Sequence, residues 1–403
     1  MSDMTVSEPV AAPSVAAAVL PIVAMIFAGY LVIGIAMPVL PLHVHQGLGF
    51  GTFVVGLVAG SQFGASLVSR FTAGHQADRR GAKRVVVIGL LAAGLAGLLY
   101  LLSQRFTGVP AVSLGILLLG RAVLGGAESF MIAGALNWGL ALAGPNNTGK
   151  VMSWVGTAMY VAYAAGAPAG SALYAGHGFT AVAVATTLIP LATLLLVLPL
   201  SPVAPSAHAH PAVAKVLRAV WLPGLGLALS SVGFGAITTF TVLLFAQCGW
   251  DQAWLAVTSV SVTFILGRLV FGHLPDRIGG PKVALVCVLI EAAGQALIWL
   301  SPSAVLVFVG AGLAGIGYSL VYPSFGIEAV RRSPPENRGL AMGAYTACLD
   351  LALGIASPVL GLIASGGNLN TVFLASTLTV LCAGFVAARL LGTTHLSTEG
   401  NTR

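Results

Sequence analysis

A short charged turn occurs twice in the chain, and each copy lies between two long apolar segments. Residues 74–84 read GHQADRRGAKR and residues 272–282 read GHLPDRIGGPK, so the copies are 198 positions apart (272 minus 74). An upstream arginine keeps the same spacing, Arg70 before the first copy and Arg268 before the second. A charged turn that recurs between hydrophobic segments indicates two related halves embedded in a membrane.

The composition supports a membrane location, because polar residues are too few to cover a soluble fold. Of the 403 residues, 57% are hydrophobic and 7% are charged, whereas soluble domains carry roughly 25% charged residues. A helix of about 20 apolar residues crosses the hydrocarbon core and satisfies its own backbone hydrogen bonds there. Such runs occur at residues 17–41, 52–72, 84–104, 111–134, 151–174, 179–200, 218–246, 252–273, 282–301, 303–326, 338–362 and 370–391. We therefore predict an all-α membrane protein with twelve transmembrane helices in two pseudo-symmetric six-helix bundles.

The boundary between the predicted halves lies at a short stretch rich in proline and alanine. We predict a first six-helix bundle at residues 1–200, a cytoplasmic linker at 201–217 and a second six-helix bundle at 218–403. Beyond the charged turns the duplication continues at a spacing of 190, for example from Pro168 to Pro358 (358 minus 168). Duplicated carriers place a central substrate site between their halves and expose it to the two sides of the membrane in turn.

The basic residues are distributed unevenly between the predicted loops. With an even number of spans both termini lie on one side, and all 18 lysines and arginines except Arg70, Arg105, Arg121 and Arg268 fall on that side. The positive-inside rule assigns this side to the cytoplasm. The net charge of +7 therefore reports topology, and we expect a lipid bilayer rather than nucleic acid as the protein's surroundings. We predict a multi-pass protein of the bacterial inner membrane with both termini cytoplasmic.

Other patterns in the sequence bear on processing, cofactors and catalysis. No lysine or arginine precedes the first apolar run, so we interpret this run as a retained span rather than a cleaved signal peptide. The four cysteines lie in or beside apolar runs without a pairing or metal-binding motif. No phosphate-binding loop and no soluble domain is recognisable. We expect no cofactor, no metal, no direct use of ATP and no enzymatic activity.

The charged turn resembles the signature of the major facilitator superfamily between spans two and three, which reads GxLADRxGRK. The matching residues are Gly74, Ala77, Asp78, Arg79, Gly81 and Lys83, while Gln76 and Ala82 depart from the pattern. Span four resembles the family at Arg121, Gly125 and Gly126. In span five, Gly166, Pro168 and Gly170 match in part the signature of proton-driven exporters. Residues 30–34, 38–41 and 125–129 are similar to a bacterial branch called arabinose-efflux-permease-like.

The resemblance implies that the charged turns act as conformational gates. Asp78 is expected to contact the start of span eleven near Arg338, and pseudo-symmetry then directs Asp276 to the start of span five. These contacts would close the cytoplasmic side and break when it opens; simple anchoring of the topology is the alternative. The predicted gate comprises Gly74, Asp78, Arg79, Gly81, Lys83, Gly272, Asp276, Arg277, Gly279 and Arg338. Gly166, Pro168 and Gly170 are predicted to give span five its flexibility.

Charged groups within the spans are candidates for the substrate and proton sites, because such groups are costly to bury in a membrane. Arg121 and Glu128 are seven positions apart (128 minus 121), so they share a helix face about 10 Å apart. We expect them to flank one cavity and to bind a substrate, or a substrate and a proton. Asp350 lies near the middle of span eleven, and the 190-residue spacing relates it to Tyr160. A structural hydrogen bond between helices is the alternative for both acids.

Further polar side chains in the spans complete the predicted cavity. They are Tyr30, Gln62, Asn137, Trp138, Tyr160, Tyr318 and Tyr322. Apolar cavities with a few such groups suit amphipathic solutes, although each of these side chains can instead serve helix packing. We predict local pairing for Glu291, and for Glu328 an ion pair with Arg331 and Arg332, which follow it by three and four positions on one helix face.

These features predict a monomeric secondary transporter that exports a small organic molecule in exchange for protons. Two alternatives remain open at the level of the sequence. Proton-coupled uptake of a sugar or metabolite would differ in that proton and substrate favour each other's binding. A sensor that does not transport would retain the fold without needing both gates.

Overall fold

The first half of the protein contains six membrane-crossing helices. The computed structural model describes residues 15–144, 147–203, 213–333, 338–366 and 368–399. Four helices come first: α1 Val15–Gly47, α2 Thr52–Arg80, α3 Ala82–Gln104 and α4 Pro110–Ala143. The following helical segment, Thr148–Val197, is broken at Gly178, where φ is 68° and ψ is −168°. Because glycine adopts this conformation without steric cost, the chain reverses there and forms α5 (148–177) and α6 (179–197).

The second half repeats this arrangement. Its helices are α7 Val213–Cys248, α8 Trp254–Phe271, α9 Gly280–Trp299, α10 Ala304–Arg331, α11 Arg338–Ala364 and α12 Asn370–Glu399. A short helix, Leu274–Ile278, separates α8 from α9. The described part of the chain thus contains the twelve predicted spans and no strand, which confirms the predicted fold. One boundary differs, because α7 begins within the predicted linker, of which residues 204–212 lie outside the described chain.

The glycines of the two charged turns have equivalent backbone conformations. Gly81 ends α2 with a φ of 87°, and Gly279 precedes α9 with a φ of 97°. Only glycine occupies this region readily, so both turns depend on it. Lys83, just after the first turn, donates to the carbonyl oxygens of Leu198 and Leu200 at 2.6 Å each. These carbonyls lie at the end of α6 and have no partner within that helix, so Lys83 ties α3 to α6.

Glycines allow α1 and α5 to pack closely within the first half. A Cβ added to Gly166 would lie 2.7 Å from the backbone of Gly34 and Ile35, and one on Gly170 would also collide with Ile35. Small residues at such crossings let helix backbones approach and gain van der Waals contact. The glycines that were predicted to make α5 flexible are therefore placed in a tight packing contact.

Two seams join the halves, one between α2 and α11 and the other between α5 and α8. In the first seam Thr52 Oγ1 donates to the Gly361 carbonyl at 2.8 Å. In the second, Thr258 Oγ1 donates to the Ala164 carbonyl at 3.2 Å. The first bond lies at the end of the bundle where α2 begins, which we call the opposite end, and the second joins the beginning of α8 to the middle of α5. The end that carries the turns at Gly81 and Gly279 is called the basic end.

The close glycine contacts of the α2–α11 seam lie away from the basic end. No described residue lies within 4 Å of a Cβ placed on Gly74 of α2 or on Gly343 of α11, outside their own helices. The outer surface of the bundle is apolar, with Val68 76% and Phe385 77% exposed, as expected for side chains that face lipid. The described contacts of the α2–α11 seam thus concentrate toward the opposite end.

Candidate functional site

Glu128 forms the polar centre of the first half. Its carboxylate accepts hydrogen bonds from the Tyr30 hydroxyl at 3.0 Å and from Gln62 Nε2 at 2.8 Å. These partners lie on α1 and α2, so three helices meet at one buried carboxylate on α4. The structure thereby brings together three of the side chains that the sequence assigned to the cavity.

A glycine on α4 makes this meeting possible. A Cβ on Gly125 would lie 2.8 Å from the carbonyl carbon of Gln62, which is closer than side chains approach a backbone. Glycine at this position therefore lets α2 lie directly against α4, one turn before Glu128. The same approach holds Ser66 beside Ser129, whose hydroxyl oxygens are 2.9 Å apart.

An ion pair between Arg70 and Asp350 spans the two halves. Arg70 Nε on α2 donates to Asp350 Oδ2 on α11 at 2.8 Å, and Nη2 contacts the same oxygen. Ser66 Oγ also donates to Asp350 Oδ2, at 3.4 Å. Asp350 is 2% exposed and Arg70 18%, so the pair is largely removed from solvent. Arg70 was not among the predicted site residues, although its recurrence as Arg268 was a signal for it.

Arg121 lies apart from the carboxylates. Its guanidinium donates to the backbone carbonyls of Val58 at 3.2 Å and Ala59 at 3.5 Å. It shares a small cavity with Gln62, whose amide also contacts Glu128. Arg121 and Glu128 therefore both lie near Gln62, while the Arg121 guanidinium donates to the α2 backbone.

Aromatic rings from both halves form a layer at the centre of the bundle. Tyr160 of α5 stacks on Phe264 of α8 with ring centroids 3.5 Å apart. Tyr163 connects Tyr160 to Tyr30, with centroid distances of 5.6 and 5.7 Å. In the second half Tyr318 stacks on Phe234 at 5.7 Å and lies 6.0 Å from Phe264. The predicted tyrosines Tyr30, Tyr160 and Tyr318 belong to this aromatic layer; the other rings, on apolar helices, carried no distinguishing sequence signal.

The remaining acids of the second half make local contacts. Glu291 is fully buried in α9 and accepts a hydrogen bond from Ser230 of α7. Glu328 pairs with Arg331 at 2.7 Å and with Arg332 at 3.6 Å, which confirms the predicted local ion pair. Neither acid is placed among the groups around Glu128 and Asp350.

The predicted gate residues lie around the basic end. Among the described residues neither Asp78 nor Asp276 makes a hydrogen bond or an ion pair, and the side chain of Arg338 lies outside the described set. Lys83 instead caps α6, as described above. The contact between Asp78 and the start of α11 stays a prediction for a state in which the basic end is closed. Arg79, Arg277 and Gly272 share this location.

Comparisons with known proteins place this site in a family context. The family model of the Major Facilitator Superfamily matches residues 22–255 and 224–402. The chain is 40% identical over 368 residues to the uncharacterized MFS-type transporter STM4428 of Salmonella typhimurium, covering 91% of this chain and 95% of that protein. It is 39% identical over 394 residues to the uncharacterized MFS-type transporter YhhS of Escherichia coli K12, covering 96% of each.

Solved structures show the same fold at low sequence identity. A bacterial homologue of the human lysosomal transporter Spinster has a TM-score of 0.72 at 13% identity, covering 93% of this chain and 96% of that one. A D-xylose–proton symporter has a TM-score of 0.71 at 12% identity, covering 92% and 97%.

Proposed function

The chain belongs to the major facilitator superfamily of transporters, and from this premise we propose that it exports a small organic molecule in exchange for protons. The observation that carries the proposal is the buried Glu128 carboxylate, held by Tyr30 and Gln62 beside the ion pair that joins the halves. Ionisable groups at membrane depth are costly and therefore mark transport pathways.

Glu128 has the contacts that a proton carrier needs. As a carboxylate it accepts from Tyr30 and Gln62, and the Gln62 Oε1 atom has no partner among the described residues. Rotation of the Gln62 amide would present that oxygen to a protonated Glu128, so one residue can satisfy both charge states. Asp350 of α11 and Arg70 of α2 act electrostatically on Glu128. Glu128 in turn acts on Tyr163 of α5.

The Arg70–Asp350 pair links this site to the movement of the halves. Ser66 contacts both Asp350 and Ser129, the residue after Glu128, so the hydroxyls of Ser66 and Ser129 connect Asp350 to the α4 backbone beside Glu128. A substrate that binds among these groups alters the field at Glu128. Substrate binding and protonation of Glu128 then disfavour each other, and this competition is the condition for antiport.

In our proposal the substrate enters from the cytoplasm at the basic end, where Gly74 of α2 and Gly343 of α11 meet no described residue of another helix. The positive-inside rule assigns the basic end to that side, in a bacterial inner membrane with cytoplasmic termini. Export requires this end to close and the Thr52–Gly361 and Thr258–Ala164 contacts to part. In our proposal Asp78 and Asp276 then bind the starts of α11 and α5, where unpaired N–H groups favour negative charge.

The test is substrate-evoked proton movement in liposomes that contain purified protein and a pH-sensitive dye. External drugs, sugars and organic acids are added one at a time. Under antiport the lumen becomes more alkaline as substrate enters, whereas symport makes it more acidic. We expect alkalinisation by one solute class and its loss in Glu128→Gln, while the control Glu328→Gln retains it. Acidification of the lumen would establish uptake by symport. If no solute changes the lumenal pH and the purified protein binds a protein partner, the result would favour a sensor.

A further inference from the structure

Arg268 on α8 is a charged group that the proposed mechanism does not use. It is related to Arg70 by the 198-residue repeat (268 minus 70), and Arg70 is paired with Asp350. The position related to Asp350 by the 190-residue repeat is Tyr160 (350 minus 190), which has no carboxylate. The repeat has therefore kept the arginine in both seams and the acid in one of them.

The surroundings of Arg268 do not replace the missing acid. Among the residues that the structure describes, Arg268 has neither a hydrogen bond nor an ion pair; Tyr160 and Tyr322 are within electrostatic reach. Arg121, by contrast, donates to two backbone carbonyls. Arg268 is partly buried in the last turn of α8, where an arginine without a partner retains the capacity to pair with an anion.

The guanidinium lies beside the aromatic layer, on the side of the basic end. It follows Phe264 by one helical turn, and a Cβ added to Gly156 of α5 would lie 3.2 Å from its Nη1 atom. Tyr322 of α10 is within electrostatic reach of both Arg268 and Arg70. These relations place Arg268 between the halves, next to the centre, on the side from which the proposed substrate enters.

We propose that Arg268 binds the anionic head of the transported substrate, an organic carboxylate or phosphonate whose apolar body packs on the Tyr160–Phe264 stack. The inference rests on the proposed transport function and names its substrate class. The planar guanidinium presents parallel N–H donors that match two oxygens of a carboxylate or a phosphonate. Tyr160 is partly exposed, whereas Phe264 behind it is 3% exposed, so the Tyr160 ring offers the apolar aromatic surface that the body of such a solute needs.

The pseudo-symmetry indicates that the ligand neutralises Arg268. Asp350 neutralises Arg70 in the α2–α11 seam, and the bound anion neutralises Arg268 in the α5–α8 seam. With substrate present each seam holds one arginine and one acid; without it the α5–α8 seam holds an unpaired cation. The missing carboxylate at position 160 is thus supplied by the cargo.

The experiment measures binding, which separates this inference from the transport proposal. The full chain in phosphatidylcholine nanodiscs is titrated calorimetrically with 4-phenylbutyrate, with phenylphosphonate and with 4-phenylbutyramide, the neutral counterpart of the first. We expect at least one of the two anions to bind about tenfold or more tightly than the amide. Arg268→Gln should lower anion affinity by about tenfold or more, with Arg268→Lys between the two. The control Arg105→Gln removes an exposed arginine from the opposite end and should change nothing.

A second variant introduces the counterion into the protein. Tyr160→Asp places a carboxylate at the symmetry-related position, and we expect it to abolish anion binding as Arg268→Gln does, with the elution profile and helical content retained. Anion affinity within twofold of wild type in Arg268→Gln, equal binding of the amide, or no binding of either anion would overturn the inference. Anionic phosphatidylglycerol in the nanodiscs should leave anion binding intact; if it removes that binding, the site belongs to a lipid head group. Binding through Arg268 without proton movement in liposomes would instead refute the transport proposal alone.

Discussion

At the residue scale, the Arg70–Asp350 pair combines a structural cost with a link between the halves. Removal of one partner from a buried pair leaves an uncompensated charge, which typically costs about 3–5 kcal/mol. The exposure of Arg70, 18%, reduces this cost because water reaches part of the guanidinium. We expect a smaller but measurable loss of stability.

Asp350→Asn should therefore lower the thermal unfolding temperature of the purified protein, and Arg70→Gln should do the same. The double variant should lose less stability than the two single variants lose together, because it leaves no charge unpaired. Differential scanning fluorimetry in one detergent provides the measurement. Additive losses would mean that the two side chains do not interact in the folded protein.

The sequence predicted part of the site at this scale. Glu128 and Asp350 were identifiable as acids within apolar runs, and Tyr30 and Gln62 as polar side chains within such runs. The partner of Asp350 was not, since Arg70 lies 280 positions away and a pairing over that distance depends on how the halves dock. Arg121 was expected to flank one cavity with Glu128; in the structure its guanidinium donates to the backbone carbonyls of Val58 and Ala59, and its role stays a prediction.

At the scale of the helices, close packing depends on glycines at a few crossings. Gly170 on α5 touches the α1 backbone at Ile35, whereas a Cβ on Gly176 of the same helix would meet no described residue within 4 Å. The two positions therefore form a matched pair for testing whether α1 and α5 require this contact.

Gly170→Val should force α1 and α5 apart, and we expect a destabilisation of about 1–3 kcal/mol, typical of overpacking. Gly176→Val on the exposed surface should change stability by about 0.5 kcal/mol or less. The yield of monodisperse protein and the unfolding temperature report both effects. If the two variants behave alike, the α1–α5 crossing does not depend on Gly170.

The helices themselves were predictable from hydrophobicity, because a bilayer demands long apolar segments. The division of Thr148–Val197 at Gly178 agrees with the two apolar runs read there, and the turns at Gly81 and Gly279 agree with glycine's access to positive φ. The role of Gly166 and Gly170 was not predictable in the same way. A glycine in an apolar helix gives the same sequence signal whether it bends the helix or meets a neighbour.

At the scale of the whole molecule, the proposed transport cycle requires the contacts between the halves to part. The Thr258–Ala164 contact lies in the α5–α8 seam and joins two residues that are not glycines, so cysteines can replace them without disturbing a glycine crossing. A covalent bond there would hold the protein in the conformation described.

In a background with the four native cysteines replaced by alanine, Thr258→Cys with Ala164→Cys should cross-link under mild oxidation and stop transport. Reduction should restore it. A second pair, Gly74→Cys with Gly343→Cys, should cross-link at the basic end only when the protein visits the other conformation. Undiminished transport by the fully cross-linked first pair would exclude movement at this seam.

The proposed gate belongs to this scale as well, because in our proposal it acts on the rate of the conformational change. We expect Asp78→Asn to reduce the maximal transport rate about tenfold or more while substrate affinity stays within about twofold, since no described cavity residue contacts Asp78. Rates from the liposome assay and affinities from calorimetry separate the two effects. A selective loss of affinity would assign Asp78 to the binding site.

The repeat predicted two halves and a site between them, but not which end is open. That property follows from contacts such as Thr52 with Gly361, which join positions 309 apart, and the charged turns are equally compatible with either state. Direction and cargo depend on still finer differences, such as an acid present in one seam and missing from the other.

The glycine contacts of the two halves also bear on how the protein is made. The first half closes its α1–α5 crossing with its own residues, whereas Gly56 and Gly60 of α2 approach Ser357, Pro358 and Gly354 of α11. During synthesis the ribosome releases the first six helices before α11 exists. The surface of α2 that carries Gly56 and Gly60 therefore stays uncovered in the bilayer until α11, about 300 residues downstream, has been synthesised. The gene can be divided at the linker and its two parts expressed separately. The amino-terminal fragment should then persist alone, whereas the carboxyl-terminal fragment should be degraded unless the two are co-expressed.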